Sequence, residues 1–324
     1  MTITPSPEQL SIFRAADEVL AREITAGPSF TADRRALEES TDRLWSTCAG
    51  LGWLGLAIPE DLGGLGLGAV EEAMLFRALG RHVAPGPFRS SVLGAHVAAL
   101  AGDEQLTAAI VTGRRRVGML TGSFAVDARR NDLVLALVGE STFLREAGAI
   151  EHQAGVDPLV LWGTGAPGEV VAHVRKSVVI ARTYLIVAAE LLGVIEAVRD
   201  MSAAYARTRV QFGKPIGAFQ AVKHRCADMA VAAHATLSQV LYAGAAIDAG
   251  DTQACFHASA AYVLAAESAA KSAADNVQNH GGMGFTWEHR AHLYLKRAFF
   301  LERVLGSQRV VYQDVLAPAR HEFG

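Results

Sequence analysis

From residue 181 onward the chain reads as four long helical stretches separated by short breaks, and this pattern restricts the fold more than anything else in it. The first stretch covers residues 181–208, and a loop holding Gly213, Pro215 and Gly217 ends it. In the next, Val222, Cys226, Met229 and Ala233 recur on one helical face. Asp251 can cap a third, in which Phe256, Ala260 and Val263 share a face. A glycine-rich turn at residues 281–286 precedes a last helix predicted over residues 287–316. Amphipathic helices of this length must bury their apolar sides against neighbours, and short connections make sequential helices antiparallel. Residues 179–324 therefore predict an antiparallel four-helix bundle.

Residues 1–115 also read as helical. Ser6 can cap a helix starting at Pro7, with Phe13, Ala16, Leu20 and Ile24 at helical spacing. A helix over residues 45–52, a turn over 59–68 and a helix over 69–79 closed by Gly80 follow. Between the helical parts, residues 116–178 carry short apolar runs at 117–121, 132–138, 157–162 and 169–174, punctuated by Gly, Asp and Pro. These predict strands, in either a shortened barrel or a sheet. The fold class is mainly α with a small β domain, in three parts: an N-terminal helical domain, a reduced middle β domain and a C-terminal four-helix bundle.

The 324 residues carry a net charge of −3 with no basic stripe, which argues against nucleic acid. Arg114, Arg115 and Arg116 read as a solvated turn. Cys48, Cys226 and Cys255 are widely spaced, offering neither a metal site nor a disulfide framework. The N-terminus lacks a basic stretch followed by an apolar one, so no secretion is expected. Residues 184–195 form the most apolar run, but Glu190 interrupts it and it falls short of the roughly 20 residues a bilayer requires. No membrane is expected and the location reads as cytoplasmic. The chain is 51% apolar, which leaves apolar surface for an oligomer interface.

Three strings stand out: GWLGLAIPEDLGGLG at residues 52–66, AAYARTRVQFGKPIGAFQ at 203–220 and QNHGGMGFTWE at 278–288. In this order they resemble signatures of the acyl-CoA dehydrogenase family, and they cover both helical parts. The resemblance implies that fold, FAD as cofactor, an acyl-CoA substrate and re-oxidation by an electron-transfer flavoprotein. A dinucleotide pyrophosphate needs cations or backbone N–H groups, and glycine where a backbone comes close. By resemblance, Arg209 reaches the pyrophosphate of a flavin held by a neighbouring subunit, with Gln211 and Phe212 along the same contact. Gln278, Gly281 and Gly282 match positions against the adenosine and pyrophosphate, and Ser307 sits where the family places a hydroxyl near the flavin. The family's middle domain is nearly twice as long. Its Thr-Glu-Pro-type flavin segment here reads GMLTGSFAVD, at residues 118–127.

Oxidising a thioester at its α and β carbons needs a carboxylate to remove the α proton. The resemblance puts that glutamate in one of two places, which here hold Leu305 and Thr183. Leucine accepts no proton, and a threonine hydroxyl is no resting base at neutral pH. Tyr184 stands where many members carry a substrate-directed arginine. Glu190 reads as a packing carboxylate and Glu302 as a paired one. No catalytic residue is assigned. The string WEHRAHLYLKRA, at residues 287–298, resembles actinobacterial members in which a short chain pairs with a full-length one on steroid side-chain thioesters. The expected state is thus the non-catalytic half of an α2β2 hetero-oligomer. The alternatives are a self-sufficient homo-oligomer with a relocated base such as Glu190, and a flavin-free scaffold.

Overall fold

The computed structural model describes residues 4–25, 34–306 and 311–312. Five helices lead: α1 (Pro7–Thr25), α2 (Arg34–Gly50), α3 (Ala69–Arg81), α4 (Phe88–Leu100) and α5 (Glu104–Val111). Ser6 caps α1 as expected. Its Oγ accepts from Gln9 N at 3.2 Å, while Gln9 Oε1 accepts from Ser6 N at 2.9 Å. Gly80 does not close α3, which continues to Arg81. A Cβ at Gly80 would collide with the Glu190 carbonyl, and one at Gly193 with the Arg77 carbonyl. The two glycines let two helices touch backbone to backbone, so Gly80 serves a close crossing rather than a helix end.

The middle region is an open sheet rather than a barrel. Its strands are β1 (Val117–Thr121), β2 (Phe124–Val126), β3 (Leu133–Val138), β4 (Ser141–Glu146), β5 (Glu151–Gln153), β6 (Trp162–Thr164) and β7 (Val170–Arg175). They lie in the order β5-β6-β2-β1-β3-β4-β7, with β1 and β3 parallel and every other pair antiparallel. The apolar run predicted as a strand over 157–162 is instead a turn, with β6 starting at Trp162. Asp157 explains this: its Oδ1 accepts from Leu159 N at 2.9 Å, which curls the chain ahead of any ladder. Leu159 and Val160 still reach the core. Of the predicted solvated turn at 114–116, Arg114 is exposed in a bend as expected, and Arg116 departs from it. Arg116 donates to Asp42 at 2.6 Å and lies 5.0 Å over the Trp45 ring, fastening α2 to the sheet.

The bundle holds α6 (Ile180–Thr208), a small hairpin of β8 (Val210–Gln211) and β9 (Lys214–Pro215), then α7 (Gln220–Asp248), α8 (Ala254–His280) and α9 (Ala291–Arg303). Residues 183–198 of α6 are buried throughout, making it the axis on which the other layers pack. Each fully buried Leu or Ile there contributes roughly 1.5–3 kcal/mol. The buried face of α8 is Ala258, Ala261, Tyr262, Ala265 and Ala269. The predicted Phe256, Ala260 and Val263 lie half-buried at its edge. The last helix starts at Ala291 rather than 287, since residues 286–290 form turns. By length and composition α7 is apolar enough to cross a membrane, yet it packs along α6 and α8 with Met229, Ala233, Val240 and Leu241 buried.

Candidate functional site

Up-down connectivity puts the C-terminal ends of α6 and α8 at one end of the bundle. Tyr205 and His280 fix them there, their rings stacked 4.3 Å apart at 23°, and His289 packs on the other side of His280 at 4.4 Å. Ser202 donates to Asn276 Oδ1 at 2.7 Å one turn deeper, and Asn276 O meets His280 Nδ1 at 2.8 Å. Burial pushes the His280 and His289 pKa values below the ordinary histidine value, so both rings are neutral at pH 7.

Six of the candidate residues hang from this clamp. Arg209 is the C-cap of α6, its N–H donating to the Tyr205 carbonyl at 2.9 Å. Its exposed guanidinium makes no hydrogen bond or ion pair among the described residues. Phe212 sits at the hairpin tip at φ 51° and is 91% exposed. Gln211 folds back on the Val210 carbonyl at 2.9 Å. Gln278 is exposed on the last turn of α8. Gly281 turns the chain at φ 63° and ψ −145°, a conformation reserved for glycine. A Cβ at Gly281 or Gly282 would meet nothing within 4 Å. Ser307 lies outside the described residues.

A free guanidinium, an exposed amide and two bare glycines at one bundle end fit an anionic dinucleotide presented from outside the chain. The Thr121 hydroxyl donates to the Val304 carbonyl at 2.9 Å, tying the end of β1 onto the end of α9. Arg209, Gln278, Gly281 and Gly282 thus form one outward edge of the bundle, and these are the residues that could hold FAD.

Neither expected base position holds an acid. Thr183 is buried and its hydroxyl donates to the Val179 carbonyl at 2.9 Å. Tyr184 is buried and stacks on Tyr262 at 5.7 Å. Leu305 is half-buried. Glu190, the relocated base of the alternative reading, sits in a buried ion network. It is buried, with Oε2 accepting from Arg89 Nη1 at 2.6 Å and Oε1 lying 3.5 Å from Arg297 Nη1. Arg297 in turn holds Asp157 at 2.7 Å and the Ala84 carbonyl at 3.0 Å. Burial works against the Arg297 charge, but Asp157 and Glu190 outweigh it and hold its pKa above the ordinary value. The sequence marked Glu190 as a packing carboxylate but missed its partners, because Arg89, Asp157 and Arg297 come from three distant segments. It also missed Tyr205, His280 and His289, although two of them flank the candidate residues closely enough in sequence to have been weighed.

The three-part architecture and this outward edge define a class. Residues 6–113 match the acyl-CoA dehydrogenase N-terminal domain and residues 178–317 the acyl-CoA dehydrogenase C-terminal domain. The chain belongs to the acyl-CoA dehydrogenase family, oxidoreductases that act on CH–CH bonds and use FAD. It is 30% identical over 315 residues to the acyl-CoA dehydrogenase IpdE2 of Mycobacterium tuberculosis, covering 95% of this chain and 96% of that one. Its fold is similar to a chain of the ChsE4-ChsE5 complex from Mycobacterium tuberculosis, with a TM-score of 0.81, 25% identity and 99% of each chain covered. It also matches a chain of the Tcur3481-Tcur3483 steroid ACAD G363A variant in fold, with a TM-score of 0.83, 23% identity and coverage of 97% and 98%.

Proposed function

We propose that this chain is the non-catalytic partner in an α2β2 acyl-CoA dehydrogenase, completing across the subunit boundary an FAD site whose base belongs to a full-length subunit. The observation that carries this reading is the combination of an outward Arg209, unpaired among the described residues, with Thr183 and Leu305 at the base positions. The similarity to a chain of the ChsE4-ChsE5 complex supports a heteromeric assembly. Bound FAD would supply the hydride acceptor for oxidation of the thioester. Arg209 would neutralise pyrophosphate charge, and the bare backbone at Gly281 and Gly282 would let the dinucleotide approach closely. Tyr205 and His280 would keep the two edges at fixed spacing. The string at residues 287–298 points to a bulky steroid side-chain thioester as substrate. Electron-transfer flavoprotein as oxidant and a cytoplasmic location complete the proposal.

Co-expression with a full-length family member tests it. The expected product is a mixed oligomer with one FAD for every two chains, and acyl-CoA oxidation that the isolated chain lacks. Turnover by this chain alone would refute the partner role.

A further inference from the structure

Away from the flavin-facing edge, α2, the sheet loops and the start of α9 enclose a cavity of about 410 Å³. This falls in the ~300–1,000 Å³ range of small-molecule sites. Much of the wall is apolar, with Leu37, Pro87, Leu159, Leu161 and Leu293 lining it and the exposed Trp287 at its rim. Its charged groups balance and are already engaged. Arg34 pairs with Glu38 at 3.2 Å, and Arg116 and Arg129 both hold Asp42, at 2.6 and 2.9 Å. Asp132 Oδ2 accepts from Arg129 N at 2.7 Å. Nothing in this lining selects an ion.

Two polar groups remain. His292 lines the cavity and is only 8% exposed; its ring lies close to the Trp287 backbone, but among the described residues neither ring nitrogen meets a partner at full hydrogen-bond geometry. Native interiors seldom leave such a group unsatisfied without a ligand or water in place. Asp127 is also buried in the wall. Its Oδ1 accepts from Leu161 N at 2.9 Å, which leaves its second oxygen as an acceptor. Burial, reinforced by the Lys296 ammonium, lowers the His292 pKa, while the Trp287 backbone and Asp157 pull the other way; the ring is neutral and can both donate and accept.

We propose that this cavity binds an uncharged, largely apolar molecule carrying a hydroxyl group, oriented by His292 and Asp127. A hydroxyl both donates and accepts, which matches a carboxyl oxygen and a neutral imidazole together. The site is separate from the flavin-facing edge and stands whether or not the chain has a catalytic partner.

The test is titration of the full chain, in the assembly in which it purifies, with 2-naphthol and with naphthalene, followed by tryptophan fluorescence and calorimetry. One 2-naphthol per chain is expected. His292→Phe should weaken 2-naphthol at least tenfold while leaving naphthalene unchanged, and should leave thermal stability equal or higher. Ala154→Trp, at an exposed position of the wall, should block both probes. If His292→Phe does not fold, His292→Leu takes its place. Non-saturable binding by the wild type, 2-naphthol affinity unchanged without the imidazole, or saturation that survives Ala154→Trp would each overturn the proposal.

Discussion

Tyr205 stacks on His280 at 4.3 Å, and that single ring contact joins the helix ends that lead into every described candidate residue. Arg209 is one turn beyond Tyr205, and Gly281 directly follows His280. Aromatic pairs of this kind are worth about 0.5–1.5 kcal/mol beyond their burial. Tyr205→Ala should therefore destabilise the chain by roughly 1–2 kcal/mol in urea unfolding and loosen FAD retention by the assembled complex. Tyr205→Phe keeps the ring and should behave as wild type in both measurements.

The Arg209 side chain differs from that of Tyr205 in having no hydrogen-bond or ion-pair partner among the described residues, so its loss should be silent in stability. Arg209→Ala should leave the unfolding free energy within about 0.5 kcal/mol of wild type. Flavin content of the purified complex should fall, and Arg209→Lys should restore only part of it, because an ammonium cannot make the bidentate contact of a guanidinium. Unchanged flavin content in Arg209→Ala would remove this residue from the site. Gly281→Ala combines both effects. Its φ of 63° with ψ of −145° costs a side-chain-bearing residue about 1–3 kcal/mol, and the added methyl points where the chain itself leaves open space.

The sequence made the bundle legible because its helices repeat at a fixed period and are punctuated by Gly and Pro. It placed β1, β3 and β7 for the same kind of reason: Val117, Leu133 and Val170 open short apolar runs between turn residues. It did not reveal β4 or β5. Ser141–Glu146 alternates too weakly to signal a strand, and Glu151–Gln153 is polar throughout and becomes a strand by pairing with β6. The candidate edge was readable because its residues are neighbours along the chain. The buried ion network was not, since Arg89, Glu190 and Arg297 meet only once three layers are packed.

That network predicts how Glu190 behaves on mutation. Removing one member of a buried pair strands a charge and costs about 3–5 kcal/mol. Glu190→Ala should lower stability by that order, read from denaturant unfolding. Glu190→Gln keeps the shape, and turnover per folded complex should stay at the wild-type level at temperatures well below its unfolding midpoint. A complex that remains folded but loses turnover in Glu190→Gln would reinstate Glu190 as the base.

Asp127 predicts an opposite and pH-dependent effect. Burial is the largest influence on its carboxyl and raises the pKa to about 6, against the lowering effects of the Leu161 N–H and of Arg89 and Arg297. The folded chain thus holds this proton more tightly than the unfolded chain, whose carboxyl titrates near its ordinary value of 3.8. The stability that comes from the bound proton is complete below about pH 4 and is lost as pH rises through 6. At 1.36 kcal/mol per pH unit, the gap is worth ~3 kcal/mol. Asp127→Asn preserves the acceptor for Leu161 N–H, and asparagine tolerates the φ of 51° at this position. The substitution should therefore stabilise the chain at pH 7.5 by up to ~3 kcal/mol and have little effect at pH 4. Stability measured in urea at half-unit steps between those pH values should show the wild-type curve falling away from that of Asp127→Asn. Parallel curves would mean that the carboxyl is already ionised at pH 4, with the Arg89 and Arg297 charges outweighing burial.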